Sequence, residues 1–190
     1  QGSRILPSRW AARGEIEQKD RREIHIPCGQ KDEHVMAFNI KSTLDAIASH
    51  VARTGYAAQV QVGEPTSPPE AVDKLFVAIY MNSASVVELT LSNTTELHTA
   101  TVRLYRRAAF GQGDDAGAVE AEMALAVSQV SSNLIGEFDL GETVRAIDVG
   151  GTYGTPVTAT WGYVSINNTM FRIVDLVIPL IVDDSATQAA

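Results

Sequence analysis

Residues Trp161–Asp184 read WGYVSINNTMFRIVDLVIPLIVDD. Two apolar runs flank Asn167-Asn168-Thr169, and asparagine tolerates the left-handed backbone that tight turns need. The spacing predicts a hairpin of Trp161–Ile166 against Met170–Asp175. The second run then continues as LVIPLIVDD, well past the end of its partner. Val174, Leu176, Ile178, Leu180 and Val182 fall on one face of it, and Ile173, Val177 and Ile181 on the other. Both faces are therefore largely apolar. Pro179 has no N–H to give a ladder, which places this segment at a sheet edge or a bulge. An apolar edge left bare aggregates, so on this reading something covers it. The alternative is an internal core strand. The fold depends on which of the two is right.

Upstream of this stretch, the pattern changes period. Ile40, Leu44, Ile47, Ala48 and Val51 recur at helical spacing, with Asn39 as N-cap and Gly55 as stop. YAAQVQVG (56–63) alternates as a strand, and EPTSPPE (64–70) is a proline-rich loop. LFVAIYM (75–81) is an unbroken apolar strand, which implies cover on both faces. SVVELTL (85–91) and LHTATVRLYRR (97–107) read as two further strands around SNTTE. GQGDDAG (111–117) is a loop in which Asp114 or Asp115 caps a second helix. That helix is marked by Val119, Met123, Ala126, Val127, Val130 and Leu134, and it ends near Gly136. VRAIDVGGTYG gives a short strand and a glycine-rich turn. The fold class is α+β: a largely antiparallel or mixed sheet, two helices on one face, and a long C-terminal hairpin. No internal repeat and no second domain are visible.

The chain has 190 residues, 45% of them hydrophobic, enough for one domain with a real core. Its single cysteine, Cys28, permits no intrachain disulfide and fits a reducing compartment. No apolar run reaches membrane-span length. The net charge of −8 is uneven. Residues 1–35 hold seven Lys/Arg and six Asp/Glu; residues 36–190 hold eight and seventeen, a balance of −9. So acidic a body does not neutralise many phosphates, which argues against tight nucleic-acid binding. Residues 1–35 are charged and aperiodic, and read either as an N-terminal arm or as a leader ahead of a start at Met36. The domain proper spans 36–184, and 185–190 is a loose tail.

Catalytic signatures do not emerge. His25, His34, His50 and His98 have no metal-ligand spacing. His50 reads as solvated, and GGTYG (150–154) as a plain turn rather than a nucleotide loop. Asp114 and Asp115 suit a helix cap better than a metal. Arg103, Arg106 and Arg107 form the densest basic cluster of the body, either as a solvated strand or as the counterpart of an acidic protein surface.

The order of these features over residues 36–182 resembles the tail terminator proteins of long-tailed bacteriophages. The features that carry the resemblance are IKSTLDAIASHVARTG leading into YAAQVQVGEP, then KLFVAIYM, then VEAEMALAVSQVSSNLIG before VRAIDVGGTYG, and the closing long hairpin. The resemblance implies a non-enzymatic virion protein with no cofactor, located at the tail–neck junction after assembly in the host cytoplasm. Such proteins form a homo-oligomeric ring, typically hexameric, that caps the tail tube, stops its polymerisation and meets a head-completion or neck protein. Double-stranded DNA only passes through the lumen, and no membrane is involved. A ring uses heterologous contacts. The expected interface residues are Glu64, Pro65, Arg103, Arg106, Arg107, Asp114, Asp115, Arg172, Ile178, Leu180 and Ile181. The loops 64–70 and 111–117 are expected to contact a partner. Rival readings are a tail tube subunit, a head-completion protein, a small hydrolase using His50 or His98, or an adaptor or binding module unrelated to phage.

Overall fold

A computed structural model describes residues 38–67, 74–90, 93–108 and 115–183. The segment 1–35, Asp114, most of the loop 111–117 and the tail 185–190 lie outside the described residues.

Helix α1 spans Ile40–Arg53. The Asn39 side chain accepts the Ser42 N–H at 3.2 Å, satisfying one of the open donors at the helix start. Gly55 follows in the left-handed conformation that ends helices. Strand β1 (Gln59–Val62) leads to β2 (Phe76–Leu89) and β3 (Thr94–Arg107). The expected pair of short strands over 75–91 is instead one strand of 14 residues. The equally long β3 pairs it throughout and carries it across Asn82–Ala84, with bulges at Met81/Ser83 and Val86/Glu88. Helix α2 (Ala116–Gly136) is capped by Asp115, whose carboxylate accepts the Ala118 N–H at 3.0 Å. Strands β4 (Ala146–Ile147), β5 (Thr158–Ile166) and β6 (Thr169–Asp183) follow.

The sheet order is β1-β2-β3-β6-β4, with β5 beside β4 on the same flank of β6. Only β1–β2 is parallel. Both helices lie on one face, as expected. There Leu44, Ile47 and Val51 of α1 and Met123, Ala126, Val130 and Leu134 of α2 meet Val77, Ile79, Val102, Leu104, Val174, Leu176, Ile178 and Leu180 in one cluster. The opposite face carries a smaller cluster of Phe76, Ala78, Tyr105, Phe171 and Ile173. Phe76 to Ile79 are buried on both faces, as the unbroken apolar run implied. His50, by contrast, is buried rather than solvated, with Nε2 at 3.5 Å from the Glu137 carboxylate. It follows Ile47 by three residues and so shares its side of the helix.

The long C-terminal strand is central, not an edge. β6 pairs with β3 from Phe171 to Asp183. Its other flank is shared: β5 covers Thr169–Val177, and β4 covers Leu180 and Ile181. Ile178 and Leu180 are fully buried and Ile181 is nearly so. The edge placement of these three residues is therefore corrected, and their side chains are consumed within the subunit. Pro179 explains how the strand admits a proline. Its carbonyl accepts the Asp148 N–H at 2.9 Å on the β4 flank. In an antiparallel ladder a residue's N–H and C=O point the same way. The missing donor therefore falls in the interruption between β5 and β4, and the β3 ladder loses nothing. The hairpin turn is Asn167-Asn168, both left-handed, with Ile166 paired to Thr169. Two such residues match the right-handed twist of the flanking strands.

Candidate assembly surface

The sheet separates the three clustered arginines because neighbouring residues of a strand face opposite ways. Arg103 points to the face without helices. It lies opposite Asp175 in register and binds it in a fork, with Nη2 to Oδ2 at 2.8 Å. Glu64 lies 3.4 Å from the remaining guanidinium nitrogen, Nη1, and the Tyr80 ring lies 5.6 Å beneath it. The fork to Asp175 raises the pKa of Arg103 still further, so its charge is permanent. Burial pushes the Tyr80 phenol up to about 12. Pro65, next to Glu64, is half-buried.

Arg106 points to the helix face, directly opposite Arg172 in register. Two like charges so placed repel each other. Helix α2 offsets this: Glu122 binds Arg106 at 2.9 Å, and Glu120 binds Arg172 at 2.9 and 3.1 Å. The hydrogen bond from Arg172 holds the Glu120 carboxyl below its ordinary range. Arg172 also donates to the Gly162 carbonyl at 3.2 Å and stacks 4.7 Å over Tyr163. Arg107 is exposed. The expected interface residues thus form three groups. Arg103 and Glu64 lie on one face and Arg106 and Arg172 on the other, while Ile178, Leu180 and Ile181 lie inside. Asp115 serves as a cap.

The surface that sequence reasoning missed lies on the β5–β6 hairpin. Trp161, Tyr163 and Met170 stand on the helix side of the sheet, 40%, 59% and 40% exposed. Tyr163 lies opposite Arg172 in register, Trp161 opposite Val174, and Met170 two residues before Arg172 on the same strand. Trp, Tyr, Met and Arg are the side chains enriched in protein–protein contacts. The Trp-x-Tyr spacing, two residues apart on a strand, was the available signal. Strand β5 carries no charged residue over its nine positions.

Elsewhere, His98 is buried, with Nε2 2.7 Å from Glu96 and its ring 4.5 Å from that of Phe38. A shallow depression near β4 is lined by Phe38, Glu142, Arg145 and Asp183, among others. Among the described residues, no three His, Cys, Asp or Glu side chains converge as a metal site. The GGTYG segment is a turn organised by buried Asp148, whose carboxylate accepts the Thr152 and Tyr153 N–H groups at 2.7 and 2.8 Å.

A chain in the solved virion of a native gene transfer agent particle is similar in structure, with a TM-score of 0.35 and 16% identity. The match covers 75% of this chain and 90% of that chain. No protein-family model matches the chain, and no curated protein is similar to it in sequence.

Proposed function

We propose that this chain is a structural subunit of a phage-type virion, acting as a tail terminator: a ring-forming protein that ends the tail tube and joins it to the neck. The observation that carries the reading is the Trp161–Tyr163–Met170 surface. It is aromatic and exposed, and Arg172, paired with Glu120, stacks against its Tyr163 ring. A side-chain set of this kind is what a permanent assembly covers. The order of motifs over 36–182 supports the same role. The acidic body, at −9 for residues 36–190, suits a conduit that DNA traverses without sticking.

Light scattering and electron microscopy of the purified chain test the proposal, together with its addition to a polymerising tail tube protein. The expected result is a discrete ring, and tubes that stop growing when it is present. Tubes formed by the chain alone would assign it as the tube subunit instead. A monomer that leaves tube growth untouched would overturn the proposal.

A further inference from the structure

The sheet has two open flanks. Strand β1 pairs only with Phe76–Ile79, so Asn82–Leu89 of β2 has no ladder on its outer side among the described residues. At the other flank, β5 is bonded only to β6 among the described residues. Natural proteins blunt such edges with Lys, Pro or inward charges. Here β5 has none of these, and Asn82–Leu89 carries one charge, Glu88. Val86 and Leu89 on this edge are 58% and 75% exposed.

We propose that these two edges pair with each other between copies, β5 of one chain against Asn82–Leu89 of the next. The inference rests on the reading that the chain assembles with itself. Three features of the fold agree on this partner. The first is direction. β2, β3, β6 and β5 alternate strictly, so a second copy added beside β5 in the same orientation presents β2 antiparallel to it. The second is the face. Val86 lies opposite Glu96, and Leu89 opposite Thr94, positions that share the helix face with His98 and Ala100. Tyr163 and Trp161 lie opposite Arg172 and Val174, on that same face. The aliphatic side chains of one edge therefore meet the aromatic side chains of the other. The third is length. Eight residues of β2 face nine of β5.

The edges lie at opposite ends of the sheet. Gly162 is level with Phe76, through Ile173 and Tyr105, whereas Val86 is level with Glu96. Pairing displaces each copy along the strands by about nine residues, roughly 30 Å at 3.3 Å per residue. Displacement accumulated around a closed sheet is what tilts strands against the ring axis. The bulges at Met81/Ser83 and Val86/Glu88 give the β2 edge a local twist that a matching strand must follow. The contact is heterologous, using one patch and a different one, so it propagates around a ring rather than stopping at a dimer.

The test uses the full chain with Cys28→Ser, in which Val86→Cys and Tyr163→Cys are joined by a short bismaleimide. The double variant should give a ladder of dimers, trimers and larger species, and each single variant none. Separately, Ser165→Lys, at an exposed position of β5, should weaken self-association at least tenfold with an unchanged circular dichroism spectrum. Oligomers by light scattering without the ladder would overturn the pairing while leaving self-assembly standing. Dimers from a single variant would replace it with an edge meeting its own copy. A chain that stays monomeric at every concentration would remove both. Unchanged association of Ser165→Lys would also overturn the pairing.

Discussion

Asp148 organises a loop that has little regular structure. Its carboxylate gathers the N–H groups of Thr152 and Tyr153, and Gly151 makes room by adopting a φ of +73°. A Cβ at Gly151 would stand 2.7 Å from the Gly154 carbonyl oxygen, so the turn admits no side chain there. Burial pushes the pKa of Asp148 up, but the N–H groups of Tyr153 and Thr152 outweigh it and hold the carboxyl below its ordinary value. A folded pKa below the unfolded one contributes stability that is complete above about pH 4 and lost as pH falls further. Asp148→Ala should cost about 1–3 kcal/mol at pH 7, because it removes the acceptor of two backbone N–H groups. Urea unfolding at pH 7 and pH 3 checks this: the gap between wild type and variant should narrow at the lower pH. An equal gap at both would mean that the charge is not what holds the loop.

At the scale of elements, β6 decides the sheet, and its two neighbours share it end to end. Ile178→Ala should cost about 2–5 kcal/mol, because its side chain is fully buried and the site cannot collapse. Val86→Ala, on the exposed edge of β2, should stay within about 0.5 kcal/mol. Thermal melts of the two variants separate a core strand from a free edge, and equal losses would contradict the topology. Much of this was legible in the residues. The caps at Asn39 and Asp115, the two apolar helix stripes and the alternation of β3 follow local rules and appear where those rules put them. The placement of β6 did not, because Pro179 argues for an edge on local grounds. Only the relation between strands far apart in sequence shows that its missing N–H falls in a gap between two partners. The burial of His50 was legible from its spacing to Ile47. The aromatic surface was legible only as a Trp-x-Tyr pair, since exposure depends on where α2 ends its cover.

At the scale of the whole molecule, few cations have to serve many acids, and the subunit pairs most of them internally. Arg106 and Arg172 pin the start of α2 to the sheet through Glu122 and Glu120. Glu122→Arg, which removes the carboxylate that offsets Arg106 opposite Arg172, should therefore lower the stability of the subunit by about 1 kcal/mol, the upper end for partly exposed pairs. Adding Arg106→Glu should restore it. Urea midpoints of the single and double variants measure the effect, and a double variant as weak as the single would deny the pairing. Arg107→Glu, at an exposed position, should leave the midpoint unchanged.

The position of β6 in the sheet has a consequence for biosynthesis. It is made after every other described element, yet β3, β4 and β5 all bond to it. The hydroxyl of Thr95 waits for Asp183, 88 residues later. Until β6 is made, β3 has no partner on one flank, and the helices have only half a floor to rest on. Contacts so distant in sequence form slowly. The sheet thus stays incomplete until β6 emerges. A chain broken off before that point cannot complete its sheet, so it has no finished surface with which to enter and spoil an assembly.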